Sequence, residues 1–329
     1  MKTRLADYQS VLAGGINRFL AHKRALGRRF DVEEKTLCLL DRFLVDRKLR
    51  SLEAVSPDVI DDFLATRPRA TPRSYNHLLE TVRRLFNWLV LQGIVVVSPV
   101  QARVRRQKSR RIPFLFDQHT AKQLLELAAG LKHNPRAPMR AQTYRTMFAL
   151  LYGLGLRVGE VTRLCDQDVD FDRQLLSIRQ TKFYKSRLVP FGPRMAALLT
   201  AYLESRQPYR GFPMNNSPLF SFVQNCPINP GTVSQTFHSL IPQLKLNVPD
   251  GVSSPRLHDL RHSFAVGTLL RWYRSGIDPG SRLLPLSTFL GHVSPVSTAE
   301  YLTITGDLLR AAGERFERFA SPLIQEVSR

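Results

Sequence analysis

Leu176-Ser177-Ile178-Arg179-Gln180-Thr181-Lys182-Phe183-Tyr184-Lys185-Ser186-Arg187-Leu188-Val189-Pro190 interrupts a chain that otherwise reads as helix. Leu176, Ile178 and Gln180 alternate with Ser177 and Arg179, the period-2 rhythm of a strand with one buried face. A chain reversal near Thr181 to Ser186 and the run Leu188 to Pro190 complete a β-hairpin. On either side the apolar spacing is three and four residues. Upstream, Thr120 to Leu131 and Tyr144 to Leu151 read as helices, the second so apolar that it must be buried. Downstream, Met195, Leu198, Leu199, Tyr202 and Leu203 line one helical face, and Phe264, Val266, Leu269, Leu270 and Tyr273 another. The expected fold is mainly α with a small β-hairpin or sheet (α+β), with residues 114-329 as the mixed domain.

Residues 1-100 predict a separate helical bundle. Its apolar faces are marked by Ile16, Phe19 and Leu20; by Leu37, Leu39, Leu40, Phe43 and Leu44; and by Val59, Ile60, Phe63 and Leu64 behind the helix opener Ser56-Pro57. Leu78, Leu79, Val82, Leu85, Phe86, Leu89 and Val90 make a longer helix that Gly93 stops. Between the domains, residues 101-113 carry Arg103, Arg105, Arg106, Lys108, Arg110 and Arg111 and no acid, with Ser98-Pro99 before and Pro113 at the end. Like charges beside prolines gain nothing from burial, so this run is expected to be a linker that stays extended until DNA phosphate neutralises it. Arg83 and Arg84 on the preceding helix are further candidates for phosphate contact.

Charge narrows the function. Forty-eight Lys and Arg face 27 Asp and Glu, a net of +21 over 329 residues, and both halves share the excess: 23 basic against 11 acidic residues before Pro113, 25 against 16 from there on. A surplus that large points to a polyanionic partner. With 43% hydrophobic residues the chain can build real cores, so disorder is excluded. The most apolar stretch, Leu89 to Val97, falls well short of the roughly 18 residues a membrane span needs. Met1 to Ser10 lead into no apolar core, so an intracellular, nucleoid-associated location in the cytoplasm is expected. Cys38, Cys165 and Cys226 are too few and too far apart for a disulfide framework or a Cys-x-x-Cys metal site.

The chemistry is carried by an ordered set of polar groups. Arg157 and Glu160 lie in Gly153-Leu154-Gly155-Leu156-Arg157-Val158-Gly159-Glu160, Lys182 in the hairpin, and His258, Arg261 and His262 in His258-Asp259-Leu260-Arg261-His262. His292 follows in Leu290-Gly291-His292, and Tyr301 comes nine residues later. Breaking a DNA phosphodiester builds charge on the non-bridging oxygens, and two planar, permanently charged guanidiniums suit that charge best. Arg157 and Arg261 are the candidates. Tyr301 can attack phosphorus once its proton, with an ordinary pKa of about 10, is accepted. The phosphotyrosine ester so formed conserves the energy of the broken bond, so religation needs no cofactor and no metal. Lys182 can protonate the departing 5′ oxygen, with Lys185 as the rival for that role. His258 lies one helical turn from Arg261 at a helix start, where the dipole favours an anion, and is expected to take the Tyr301 proton. Glu160, three residues beyond Arg157, can orient its guanidinium, and His262 is read as a structural support.

The order and spacing of these motifs over residues 114 to 305 resemble the tyrosine recombinase, or phage integrase, family. The resemblance implies a helical, SAM-like core-binding domain and a catalytic domain closing as a C-shaped clamp on DNA. It implies Lys182 as the hairpin lysine and His292 as a ligand of a phosphate oxygen. It also implies a homotetramer on double-stranded recombination sites, with accessory proteins or partner recombinases as further partners. The stretch from Arg261 to His292, with Trp272, Asp278-Pro279-Gly280 and Leu283-Leu284-Pro285-Leu286, is longer than in many members and is expected as a loop between helices. Leu308, Leu309, Ala312 and Phe316 suggest a terminal amphipathic helix, packed by default on its own domain, and the resemblance implies the alternative that it docks in a neighbouring subunit, as is common in this family. The expected function is site-specific DNA recombination through a 3′-phosphotyrosyl intermediate, for integration, excision or transposition of a mobile element. A type IB topoisomerase, a resolvase of chromosome or plasmid dimers and a silent DNA-binding regulator are the alternatives. A metal-dependent nuclease using His258, Asp259, His262 and His292 is disfavoured because Arg261 would oppose a bound cation.

Overall fold

The computed structural model describes residues 7–303 apart from 29, 107–110, 133, 180–185, 210–215, 224–225 and 293, together with 310, 313 and 314. The chain divides into two compact units, Met1–Arg110 and Arg111–Arg329.

The first unit packs α1 (Ala13–Ala25), α2 (Asp31–Asp46), α3 (Pro57–Ala65) and α4 (Pro72–Leu91) around Ile16, Phe19, Leu37, Leu40, Ile60, Phe63 and the inner face of α4. Helix starts follow local chemistry. Ser56 and Thr71 cap α3 and α4 by accepting from the amides of Val59 and Ser74, and a proline fills the first helical position of each. Gly93, with φ +67, ends α4 in the left-handed region, which lets the Ile94 amide reach back to the Leu89 carbonyl. The charged run after Pro99 has no helix or strand over residues 101–106, and part of it has partners in this unit. Val100 and Ala102 pack on the core, both backbone groups of Arg105 bond the Asn76 side chain, and the Arg105 guanidinium lies 3.8 Å from the Tyr75 ring centroid. Arg83 donates to the Ala102 carbonyl and to Glu80, and Arg84 lies 3.8 Å from the same carboxylate. A cation–π contact and the two Asn76 bonds therefore hold Arg105 against α4.

The second unit begins with α5 (Gln118–Ala129) packed on α6 (Arg140–Gly153). Tyr144, Met147, Phe148, Leu150 and Leu151 of α6 are all buried, each contributing about 1.5–3 kcal/mol of hydrophobic stabilisation. After the one-turn helix α7 (Val158–Val161) comes an antiparallel sheet in the order β1 (Val169–Asp170), β2 (Leu175–Ile178) and β3 (Arg187–Pro190). Its register pairs Leu176 with Val189 and Ile178 with Arg187, so the expected hairpin strands are present, and their turn, with Lys182 and Lys185, lies outside the described residues. Helix α8 (Pro193–Arg206), a two-stranded ribbon of β4 (Ser221–Val223) and β5 (Cys226–Pro227), and α9 (Pro230–Leu240) complete the middle of the unit.

The C-terminal part holds α10 (Asp259–Arg274), α11 (Pro279–Leu290), α12 (Val296–Ala299) and a 3-10 turn over Glu300–Thr303. Here the sequence expectation is corrected. Trp272 belongs to α10, and most of the stretch expected to be a loop is α11. Asp278 accepts from the Ser281 amide and Pro279 supplies the first helical residue, so Asp-Pro-Gly is a helix start rather than a turn. Pro285 is tolerated inside this helix. The terminal segment with Leu308, Leu309, Ala312 and Phe316 lies outside the described residues.

Candidate active site

Three chain reversals bring the polar residues together. Gly155, with φ +58, leaves α6 so tightly that a Cβ there would lie 2.5 Å from the Phe264 ring, and two residues later Arg157 caps α7. His258 caps α10, placing Arg261 and His262 in its first turn. Gly291, with φ +68, ends α11 and turns the chain toward His292 and Tyr301. A side chain at 291 would also meet the guanidinium of Arg187, whose Nη1 would lie 2.6 Å from its Cβ.

Arg261 is 1% exposed and donates to the carbonyls of Gly155 (2.6 Å) and Leu290 (2.7 Å), while its Nε has no partner among the described residues. Burial and the nearby Arg157 lower its pKa to about 10, which leaves it charged at neutral pH. Arg157 donates to Glu160 (2.8 Å) and to the Gly291 carbonyl (2.9 Å). Glu160 is buried and accepts from the Arg157 amide as well. It also takes a bidentate pair of bonds, both 2.9 Å, from Arg187 on β3. Burial opposes its charge, but Arg187 and Arg157 outweigh that and hold its carboxyl at about 2. The expected pairing of Glu160 with Arg157 is therefore present. Arg187, an engaged site residue, is one that sequence reasoning missed.

The Tyr301 ring is 4% exposed, packed with Ala265, Val266, Leu269, Leu286 and Leu290, and its hydroxyl lies 3.2 Å from Nδ1 of His262. The expectation that His258 takes the Tyr301 proton thus meets a different geometry: the imidazole on the hydroxyl is that of His262, and His258 packs edge-on against His262 at 4.8 Å between ring centroids. His292 stacks on Tyr301 at 6.0 Å and bonds the Thr298 hydroxyl through Nδ1 (2.7 Å). Burial raises the Tyr301 pKa against the pull of Arg261, and it lowers all three imidazoles, His258 and His292 to about 4. The histidines are accordingly neutral near pH 7 and able to accept protons.

Arg111 has a partner inside the protein. Its guanidinium grips both oxygens of the fully buried Asp259 at 2.9 and 2.7 Å and the Ser254 carbonyl at 2.9 Å. Nearby, the Phe116 amide donates to the Ser263 hydroxyl, which donates to the Asp259 carbonyl. The arginine expected on phosphate thus ties the start of the second unit to the first turn of α10. Of the other linker candidates, Arg103, Arg105 and Arg106 are exposed, and Lys108 and Arg110 lie outside the described residues. Among the described residues no group of three or more His, Cys, Asp or Glu side chains is placed to hold a metal, and no helix is long and apolar enough to cross a membrane.

The depressed histidines predict an acid-labile fold. Between pH about 6.5 and 4 the unfolded chain binds protons at positions 258 and 292 that the folded chain refuses, so stability is full above that window and falls as pH drops through it. Because water reaches His258 and screens its neighbours, the two together are expected to cost about 2 kcal/mol rather than the full value of the displacement. Urea denaturation at pH 7.5 and 4.5 measures it, with a His258→Asn/His292→Asn protein as control. An equal loss of stability in the control and the unaltered protein would refute this origin.

The phage integrase family model matches residues 114–306. A putative integrase/recombinase of Sinorhizobium fredii, y4rB, is 32% identical over 94% of this chain and 98% of its own length. A tyrosine recombinase XerC of Staphylococcus saprophyticus is 25% identical over 72% of this chain and 73% of its own. Among solved structures, the Tn1549 transposon integrase in complex with transposon right end DNA covers 93% of this chain and 99% of its own at TM-score 0.64 and 18% identity. A lambda integrase dimer bound to a COC′ core site covers 90% and 78% at TM-score 0.60 and 18% identity. With the family model spanning more than half of the sequence and a relative above 30% identity along nearly all of it, the chain belongs to the phage integrase family of tyrosine recombinases.

Proposed function

We propose that this protein is a site-specific DNA recombinase that cuts and rejoins strands through Tyr301, with the scissile phosphate held by Arg157 and Arg261. The observation that carries the reading is the meeting of two guanidiniums, three neutral imidazoles and the Tyr301 hydroxyl at the C-terminal end of α11. In the forward step the Tyr301 oxygen bonds to phosphorus and the bond from phosphorus to the 5′ oxygen breaks. The phenol proton passes to His262, whose Nδ1 already faces it, and Lys182 gives a proton to the departing oxygen. Arg157 and Arg261, with His258 and His292 beside them, meet the charge that grows on the non-bridging oxygens. Attack by a new 5′ hydroxyl reverses every transfer and releases the tyrosine.

The full-length match to an integrase/recombinase favours service to a mobile element over dimer resolution. The proposed assembly is a tetramer on two duplexes, and the exposed Arg103 and Arg106 are proposed to meet the DNA backbone. Incubation with a nicked suicide duplex carrying the recombination site, in the presence of a chelator, tests the chemistry. A covalent adduct on the 3′ phosphate is expected; no adduct, or one that requires metal, would refute the reading.

A further inference from the structure

The last three carbonyls of the α11 end each accept from a different arginine. Phe289 takes Nε of Arg187 at 2.7 Å, Leu290 takes Arg261 at 2.7 Å and Gly291 takes Arg157 at 2.9 Å. These are the carbonyls a helix cannot bond itself, and they carry the negative end of its dipole. Three like charges can gather here because that pole and one carboxylate, Glu160, face them together. Of the three, Arg187 has every one of its nitrogens bonded inside the protein. Its Nε is on Phe289, both terminal nitrogens are on Glu160, and its side chain is 9% exposed.

We infer that Arg187 is a positioning residue for DNA cleavage: it locks Glu160 and the end of α11 so that Arg157 and Arg261 are presented to the phosphate. Glu160 bonds Arg157 and Arg187 through the same oxygen, Oε1. With Arg187 absent, that carboxylate has one guanidinium to itself and draws Arg157 away from an incoming phosphate. The Phe289 carbonyl, next to the acceptor of Arg261, loses its donor at the same time. A lysine could restore the charge but not the three-point fork, because its ammonium cannot bond Glu160 twice and the carbonyl in one plane. The small residue at 291 belongs to the same device, since any Cβ there would collide with the Arg187 guanidinium.

The inference rests on the recombinase reading, and its test keeps the two apart. Single-turnover adduct formation would be measured for the unaltered protein, Arg187→Ala, Arg187→Lys and Arg157→Ala, each on a normal scissile phosphate and on a neutral methylphosphonate. Arg187→Ala should cleave the normal phosphate on the order of 10²-fold more slowly, with duplex affinity within about threefold, and Arg187→Lys about tenfold more slowly. Both deficits should shrink by about tenfold or more on the neutral phosphate, as for Arg157→Ala, because what is lost is recognition of the phosphate charge. A deficit of equal size on both phosphates, or Arg187→Ala cleaving at the unaltered rate, would overturn the inference. If Arg187→Ala does not fold, the same comparison on Arg187→Lys decides. Absence of any adduct with the unaltered protein would overturn the recombinase reading, and the inference with it.

Discussion

A Tyr301→Phe protein is expected to bind its duplex and form no covalent adduct, a fall of at least about 10⁴-fold, as removal of a nucleophile from a covalent mechanism demands. The loss should be clean because the ring's role in packing survives. Phenylalanine fills the same space among Ala265, Val266, Leu269, Leu286 and Leu290, and the fold gives up one hydrogen bond to His262, about 1 kcal/mol. Among the described residues, the nearby Thr298 hydroxyl is fully buried and engaged with His292, so it is not placed to stand in. The native phenol arrives protonated, its pKa raised by burial, so the base matters as much as the oxygen. On the proposed mechanism the neutral imidazole 3.2 Å away is that base, so His262→Ala is expected to slow cleavage more than the structural role expected from its sequence would allow. Gel analysis of the adduct together with thermal melting separates the outcomes. An adduct in Tyr301→Phe above about one tenth of the native yield would show that another group attacks.

The Arg157, His258 and Gly291 motifs were legible because each sits at a helix start or stop, where local rules apply. Arg157, His258 and Gly291 are cap residues, and their neighbours follow by helical spacing. Arg187 was not legible, because its partners lie 27 and 102 residues away in the chain and no local pattern links them. One signal was present. The period of β3 puts Arg187 on the face of Val189, which is buried, and leaves Leu188 59% exposed, so the charged side chain points in and the apolar one out. An inverted strand of that kind announces a buried ion pair. Helix α11 was hidden by Pro285, which reads as a breaker, and by Asp278-Pro279-Gly280, which reads as a turn until the following residues are seen to be helical. Charge patterning predicts repulsion along residues 101-113, but Asn76, Tyr75 and Asp259, all distant in sequence, supply partners for Arg105 and Arg111.

Replacing Glu160 by alanine should be the most destabilising single change in the site. The side chain satisfies four donors at once: the Arg157 amide, one guanidinium nitrogen of Arg157 and two of Arg187. Its removal leaves the nearly buried Arg187 with no counter-charge, and breaking a buried pair from one side costs about 3–5 kcal/mol. Arg157 is 32% exposed and can turn toward water, so its share of the loss is small. Glu160→Gln keeps an acceptor for the amide and should lose roughly half as much, because a neutral oxygen still bonds one nitrogen of Arg187. Acid reproduces the substitution. Glu160 holds its proton off down to about pH 2 when folded against about 4.5 when unfolded, so its contribution is whole above 4.5 and disappears as pH falls toward 2, below the window in which the histidines act. Guanidinium denaturation of the three proteins at pH 7 and pH 3 resolves these terms: the gap between unaltered and Glu160→Ala protein should narrow at pH 3. A gap under about 1 kcal/mol at pH 7 would mean that the two arginines find other partners, and that the carboxylate is not what gathers them.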